Sequence, residues 1–281
     1  MNPATATAAA SARREATELL GRLTKPAGSL GALEGLAVRL AGIERRCPPA
    51  PWPGAVAVFA ADHGVVASGV TPWPQEVTTQ MVANIASGGA AISVLSRQHG
   101  LRLVVVDVGV ASRVDAADNV WVHKVRAGSD DLAEGPALTA ADVDAALVVG
   151  VDVATRLVSS GARCLLTGEM GIGNTTAAAA VISVLTGTPA GDCVGRGTGI
   201  DDSMLGHKRS VVERAVSRIE TGAPVARVLS EVGGLEIVAL AGYIGAAAKA
   251  GVPVLLDGVI TLRSEEHTSE LQSRLHLVCR L

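Results

Sequence analysis

Four short apolar runs constrain this chain more than any other feature: AVAVFA from Ala55, LVVVDVG from Leu103, CLLTG from Cys164 and VPVLLDG from Val252. Each is rich in branched aliphatic residues, bounded by Gly, Asp or Pro, and too evenly apolar for a sheet with one wet face. Such runs read as strands buried on both sides of a parallel sheet. Helix-like segments fall between and around them, near 76–86, 140–159, 174–186, 207–219 and 235–249. The alternation predicts an α/β fold with a doubly wound, mostly parallel sheet, in which ligands sit beyond the carboxyl ends of the strands.

Ahead of the first strand, apolar periodicity over about 12–23 and 30–43 predicts two amphipathic helices separated by TKPAGS. They make residues 1–50 a small helical N-terminal subdomain beside a Rossmann-like domain over 51–263. The alanine-rich N-terminus is broken by Arg13, Arg14, Glu15 and Glu18 before an apolar core forms, so it does not read as a secretory signal. No stretch reaches 18 uncharged apolar residues, and no membrane span is expected.

Partners are narrowed by charge. A net charge of -3 and 2% aromatic residues offer neither a basic field nor stacking surfaces for nucleic acid. The four cysteines are widely spaced and form no C-x-x-C pair, which argues against a zinc site or a disulfide scaffold and favours a reducing cytoplasm.

The strand-end rule selects Asp62-His63-Gly64, Asp107 to Gly109, Gly168-Glu169 and Asp257-Gly258 as groups facing one crevice. An acid in such a place is as often a helix cap or turn former. Asp62 and His63, with no further histidine near them in sequence, are read as turn formers or pocket lining and not as metal ligands.

The segment GEMGIGNT, Gly168 to Thr175, keeps the spacing of a phosphate-binding P-loop but has Asn174 where that motif has lysine. Backbone N–H groups and a helix N-terminus remain, enough for a monophosphate. GRGTG, Gly195 to Gly199, follows, and Lys208 stands in the next helix. Two glycine loops and a lysine suit a small phosphoester; two ordinary loops is the plainer alternative.

Taken together, LTKPAGSLGALE, ADHGV, PQEVTTQMVANIASGGAAI, VDVGV, TGEMGIGNTTAAAA, VGRGTGID, EVGGLEIVALAGYIGAA and VPVLLDG, in that order, make the chain resemble the nicotinate-nucleotide:dimethylbenzimidazole phosphoribosyltransferase family. The resemblance implies a cytoplasmic homodimer that moves ribose 5-phosphate from nicotinate mononucleotide to 5,6-dimethylbenzimidazole, with no cofactor and no metal. It implies that Gly171, Gly173, Gly197, Gly199 and Lys208 hold the phosphate and that Asn174 and Thr175 contact ribose. Pro74, Val77, Gln80 and Met81 would wall the benzimidazole pocket, and Glu169 would be an auxiliary catalytic group. The family's principal base is a glutamate in a glycine-rich segment near its C-terminus.

After Arg263 the sequence SEEHTSELQSRLHLVCRL contains neither alanine nor glycine, the residues that dominate what precedes it. It also resembles a translated sequencing-adapter tail, so 264–281 is read as foreign to the fold. On that reading the principal base is missing and the chain is expected to turn over little or not at all. The alternatives are a phosphate- or nucleotide-binding module without turnover, or a degenerate P-loop nucleotide-binding protein.

Overall fold

The computed structural model describes residues 3–197, 199–258 and 260; the expectations about 264–281 lie outside them. Two helices, α1 (Pro3–Arg22) and α2 (Ala32–Glu44), form a hairpin closed by Ala12, Ala16 and Ala41. Then come β1 (Gly54–Ala61), a 3-10 turn over Gly64–Ser68, α3 (Glu76–Ala86), α4 (Ala91–Gln98), β2 (Arg102–Gly109) and β3 (Val120–Val122). The remainder is α5 (Ala140–Ser159), β4 (Cys164–Met170), α6 (Asn174–Thr186), α7 (Ala190–Cys193), α8 (Asp202–Val216), α9 (Val225–Val232), α10 (Leu235–Ala250) and β5 (Val254–Leu255).

The five strands lie in the order β3-β2-β1-β4-β5, every pair parallel. All eight residues of β1 are buried, because alternate side chains enter two separate cores. Ala55, Ala57, Phe59 and Ala61 face α5, α6 and α10, while Val56, Val58 and Ala60 face Val82, Ile85 and Ala90 from α3 and the start of α4. That division is the physical reason for the continuous apolar run, since a strand wetted on one side would show polar residues at every second position. Phe59 meets Tyr243 of α10 edge to face at 5.4 Å.

Strand order reverses between β1 and β4. The chain leaves β1 for β2 and β3 on one side and returns to β4 and β5 on the other, so the crevice beyond the ends of β1 and β4 is the switch point where ligands bind in such sheets.

Helices α5 and α10 pack backbone to backbone. A Cβ at Gly150 would lie 1.8 Å from the carbonyl oxygen of Ala239, and one at Gly242 would lie 2.2 Å from that of Leu147. Gly150→Ala is therefore expected to cost about 1–3 kcal/mol through overpacking. The check is a lower urea midpoint with an unchanged slope.

The predicted fourth strand shrinks to two paired residues, and the helix expected over 207–219 starts earlier, at Asp202, where the Asp201 side chain caps it by accepting from Met204 N at 2.8 Å. Helices α4, α7 and α9 and strand β3 were not foreseen.

Candidate functional site

At the switch point, β4 ends and the chain turns through Gly171-Ile172-Gly173 into α6. Gly173 is the N-cap with φ of 94°, a left-handed conformation that disfavours side chains, and Gly171 has no room for one: a Cβ there would sit 2.3 Å from the carbonyl oxygen of Ala61. The loop thus lies directly on the end of β1. In the first turn of α6, Asn174 N donates to the Gly171 carbonyl at 3.1 Å and Thr176 N to that of Gly173 at 2.9 Å, so the helix turns its positive end toward the cavity with part of its donors already engaged. Thr78 of α3 fixes the loop from the other side, its Oγ1 accepting from Ile172 N at 3.1 Å.

Lys208 reaches the same place from α8. It is 2% exposed, and its Nζ donates to Thr175 Oγ1 at 2.8 Å and to the Gly195 carbonyl at 3.4 Å. No carboxylate pairs with it among the described residues. Burial alone lowers its pKa to about 8. The lysine that the P-loop spacing lacks in sequence is supplied in space.

Loop and lysine enclose a cavity of about 40 Å³ lined by Val70, Thr71, Gly171 to Thr176, Arg196, Gly197, Ile200 and Lys208. At about 10–15 Å³ per water, that is room for roughly three waters, the scale of a phosphate group and not of a whole nucleotide. Gly197 closes it, its φ of 54° placing the α-carbon where a Cβ would stand 3.2 Å from Thr175 Oγ1 and 3.5 Å from Lys208 Nζ.

Five expected site residues besides Lys208 thus converge: Gly171, Gly173, Asn174, Thr175 and Gly197. Gly199 does not join them; open space surrounds the position of its missing side chain. Pro74, Val77, Gln80 and Met81 also lie outside this cavity. Pro74 and Gln80 are exposed, Val77 is half-buried, and Met81 packs partly buried against the Val56–Val58–Ala60 core. The Thr175 hydroxyl accepts from Lys208 Nζ on the lysine side of the cavity.

Glu169, near the end of β4 just before the loop, accepts from the Asn174 side-chain amide. Burial raises its pKa to about 7, the field of Glu236 adds to this, Asn174 and His63 oppose it, and Asp257 raises it further. Such a carboxylate exchanges protons at neutral pH.

Two of the strand-end acids are structural. Asp62 accepts from Ala111 N at 2.8 Å, and Asp107, fully buried inside β2, accepts from Val110 N at 2.9 Å with Lys124 at 3.4 Å. Both serve as turn formers, so Asp107 does not face the crevice. His63 does more than line a pocket. Its Nε2 lies 2.8 Å from Glu236 Oε1 in the first turn of α10, with both side chains 0% exposed. Sequence reasoning passed over Glu236 because it lies 173 residues from His63 within an alanine-rich helix. Arg196 was passed over too, although it stands between the glycines of the second loop; it pairs with Asp202 at the cavity rim.

Comparison with known proteins bears directly on this site. The family model described as "Phosphoribosyltransferase" matches residues 5–279. The nicotinate-nucleotide–dimethylbenzimidazole phosphoribosyltransferase of Salinispora tropica is 51% identical over 261 residues, covering 87% of this chain and 72% of that protein. The protein of the same name from Chromobacterium violaceum is 48% identical over 267 residues, covering 95% and 77%. The crystal structure of CobT from Thermus thermophilus superposes with a TM-score of 0.90 at 42% identity, covering 94% of this chain and 79% of that one. With the matched model spanning nearly the whole sequence and about half the residues shared with such relatives, the chain belongs to the nicotinate-nucleotide–dimethylbenzimidazole phosphoribosyltransferase family.

Proposed function

We propose that the protein transfers ribose 5-phosphate from nicotinate mononucleotide to 5,6-dimethylbenzimidazole, giving α-ribazole 5′-phosphate and nicotinate. The observation that carries this reading is Lys208, a buried ammonium without an acidic partner among the described residues, set against the N-terminus of α6 in a phosphate-sized cavity. A buried cation so placed calls for an anion.

In the reaction, the bond from C1′ to the pyridinium nitrogen breaks and its electron pair stays on nicotinate, whose ring leaves neutral. The lone pair of one benzimidazole nitrogen forms the new bond to C1′ from the opposite face. The other ring nitrogen then gives up its proton; among the described residues Glu169 is the titratable acceptor beside the loop, and any turnover by this chain without the principal base that the resemblance puts near the C-terminus would pass through it. With the 5′-phosphate held between Lys208, Arg196 and the loop N–H groups, the ribose extends toward Glu169 and Asn174. The apolar base is received by the α3 side, where Val77 and Met81 offer surface and Gln80 a directional hydrogen bond, Thr78 tying this wall to the loop. A cytoplasmic homodimer belongs to the same reading, and sedimentation velocity tests the dimer; among the described residues no helix is long and apolar enough to cross a membrane.

The test is incubation of the chain with both substrates and chromatographic detection of α-ribazole 5′-phosphate and nicotinate. Binding of nicotinate mononucleotide without product would favour a binding module; preference for ATP would favour a P-loop protein.

A pH dependence follows from Lys208. Its charge is present below about pH 8 and lost above it in the ligand-free protein, while the ligand's phosphate becomes a dianion above its second pKa of about 6. Affinity for nicotinate mononucleotide, measured by calorimetry, is expected to be greatest between these values and to fall as pH rises through 8. Lys208→Arg, which keeps its charge, should remove the alkaline decline.

A further inference from the structure

The buried His63–Glu236 pair touches neither the cavity nor any surface, yet it is built into the underside of the site. The imidazole is held between glycines: a Cβ at Gly171 would lie 3.3 Å from the ring, one at Gly173 3.1 Å from His63 Cβ, and one at Gly234 2.4 Å from His63 Cε1 and 2.8 Å from Glu236 Oε2. The backbone carbonyl of His63 also accepts from the Gln75 side chain at 3.1 Å, at the head of α3. One residue thus meets the phosphate loop, the helix carrying the base-side wall, and the first turn of α10.

We propose that His63 and Glu236 form a positioning unit that supports the phosphate loop from beneath and governs the charge on Glu169. This rests on the reading of the site given above. A charged pair with no exposure costs desolvation that an apolar pair would avoid, so it is weak as a device for stability alone. Its charges act where the reaction needs them. Glu236 opposes ionisation of Glu169, and His63 favours it. Burial disfavours charge on His63, but Glu236, with lesser contributions from Asp62 and Glu169, outweighs burial and raises its pKa. The remaining groups around Glu169 are Asp257 after β5, which also opposes its ionisation, and neutral Asn174 of α6; α3 contributes the neutral Thr78, and Lys208 of α8 is turned to Thr175. At Glu169 the influence of Glu236 is the larger of the two and His63 offsets part of it, so removing either member shifts Glu169 in its own direction.

The experiment is an isotope-edited infrared titration of the Glu169 carboxyl in the ligand-free full chain, its band assigned by loss in Glu169→Gln. His63→Gln leaves Glu236 uncompensated and should raise the Glu169 midpoint by about one pH unit. Glu236→Gln should lower it, and the double variant, two amides of similar shape, should titrate between the two single variants. Support that was only steric would change the thermal midpoint and leave the titration where it was. A Glu169 midpoint unmoved in both single variants, with the native fold kept by circular dichroism, overturns the proposal. So does a double variant displaced as far as either single one. Because the titration needs no substrate, failure of the unsubstituted chain to bind nicotinate mononucleotide would count against the reaction assignment and not against the pair.

Discussion

Lys208→Met is expected to weaken nicotinate mononucleotide binding about a hundredfold or more while leaving the ligand-free protein no less stable. The two halves of this result come from the same fact. Lys208 is buried beside Thr175 and the Gly195 carbonyl, with desolvation as the cause of its lowered pKa and no carboxylate among the described residues to offset it. Losing one partner of a buried charge pair costs about 2–5 kcal/mol, and about 2.8 kcal/mol is a hundredfold in Kd. Methionine keeps most of the stem that fills the space and drops the charge together with the hydrogen bonds to Thr175 and the Gly195 carbonyl, and the desolvation cost shed when no phosphate is present offsets those lost bonds. Calorimetry with nicotinate mononucleotide and with free 5,6-dimethylbenzimidazole separates the cases. The mononucleotide should lose affinity and the free base should not. Equal losses, or a lowered thermal midpoint, would show that Lys208 is a structural residue.

Glu169→Gln should reduce the rate of α-ribazole 5′-phosphate formation by at least about a hundredfold, the usual scale for removing a general base, with mononucleotide affinity changed only a few-fold. Glutamine preserves the contact with Asn174 in shape but cannot take a proton. In the unsubstituted protein the acid limb of kcat/KM should fall near pH 7: the carboxylate is ionised and competent above that value and protonated below it. The limb should vanish in the variant. A rate within about tenfold of the unsubstituted chain would remove Glu169 from the proton-transfer step.

The sheet was legible because parallel strands buried on two faces leave a pattern nothing else leaves. Strand β3 was not, since Val120, Trp121 and Val122 are too few to show a pattern, and Val122 is exposed at the edge. The tight loop between β4 and α6 was legible from glycine spacing, because two of its glycines are dictated by close backbone approach and a left-handed turn, constraints local enough to appear in a short string of letters. Lys208 was legible as the one lysine near the glycine loops. The base-side wall was read from resemblance, and Gln80 remains exposed on α3. His63–Glu236 lay beyond local reading altogether: a histidine after a strand and a glutamate in an apolar helix become a pair only when the fold joins the ends of β1 and α10. Asp107 misled for the converse reason, as the same Asp-x-Gly pattern closes a turn without opening onto a ligand.

The seam between α5 and α10 has a bearing on how tolerance to mutation is distributed. Where two helices touch through carbonyls and α-carbons, no side chain remains to repack, so α10 can neither slide nor roll without moving its whole length. Gly242 stands further along the same helix as Glu236, about 9 Å away along the axis at about 1.5 Å per residue, and a methyl group at Gly242 or Gly150 is expected to displace α10 together with the turn that carries Glu236. A saturation screen scored on lost turnover should therefore return these two glycines beside Lys208 and Glu169. Anyone who equated sensitivity with contact would draw the catalytic centre around positions that never meet a substrate.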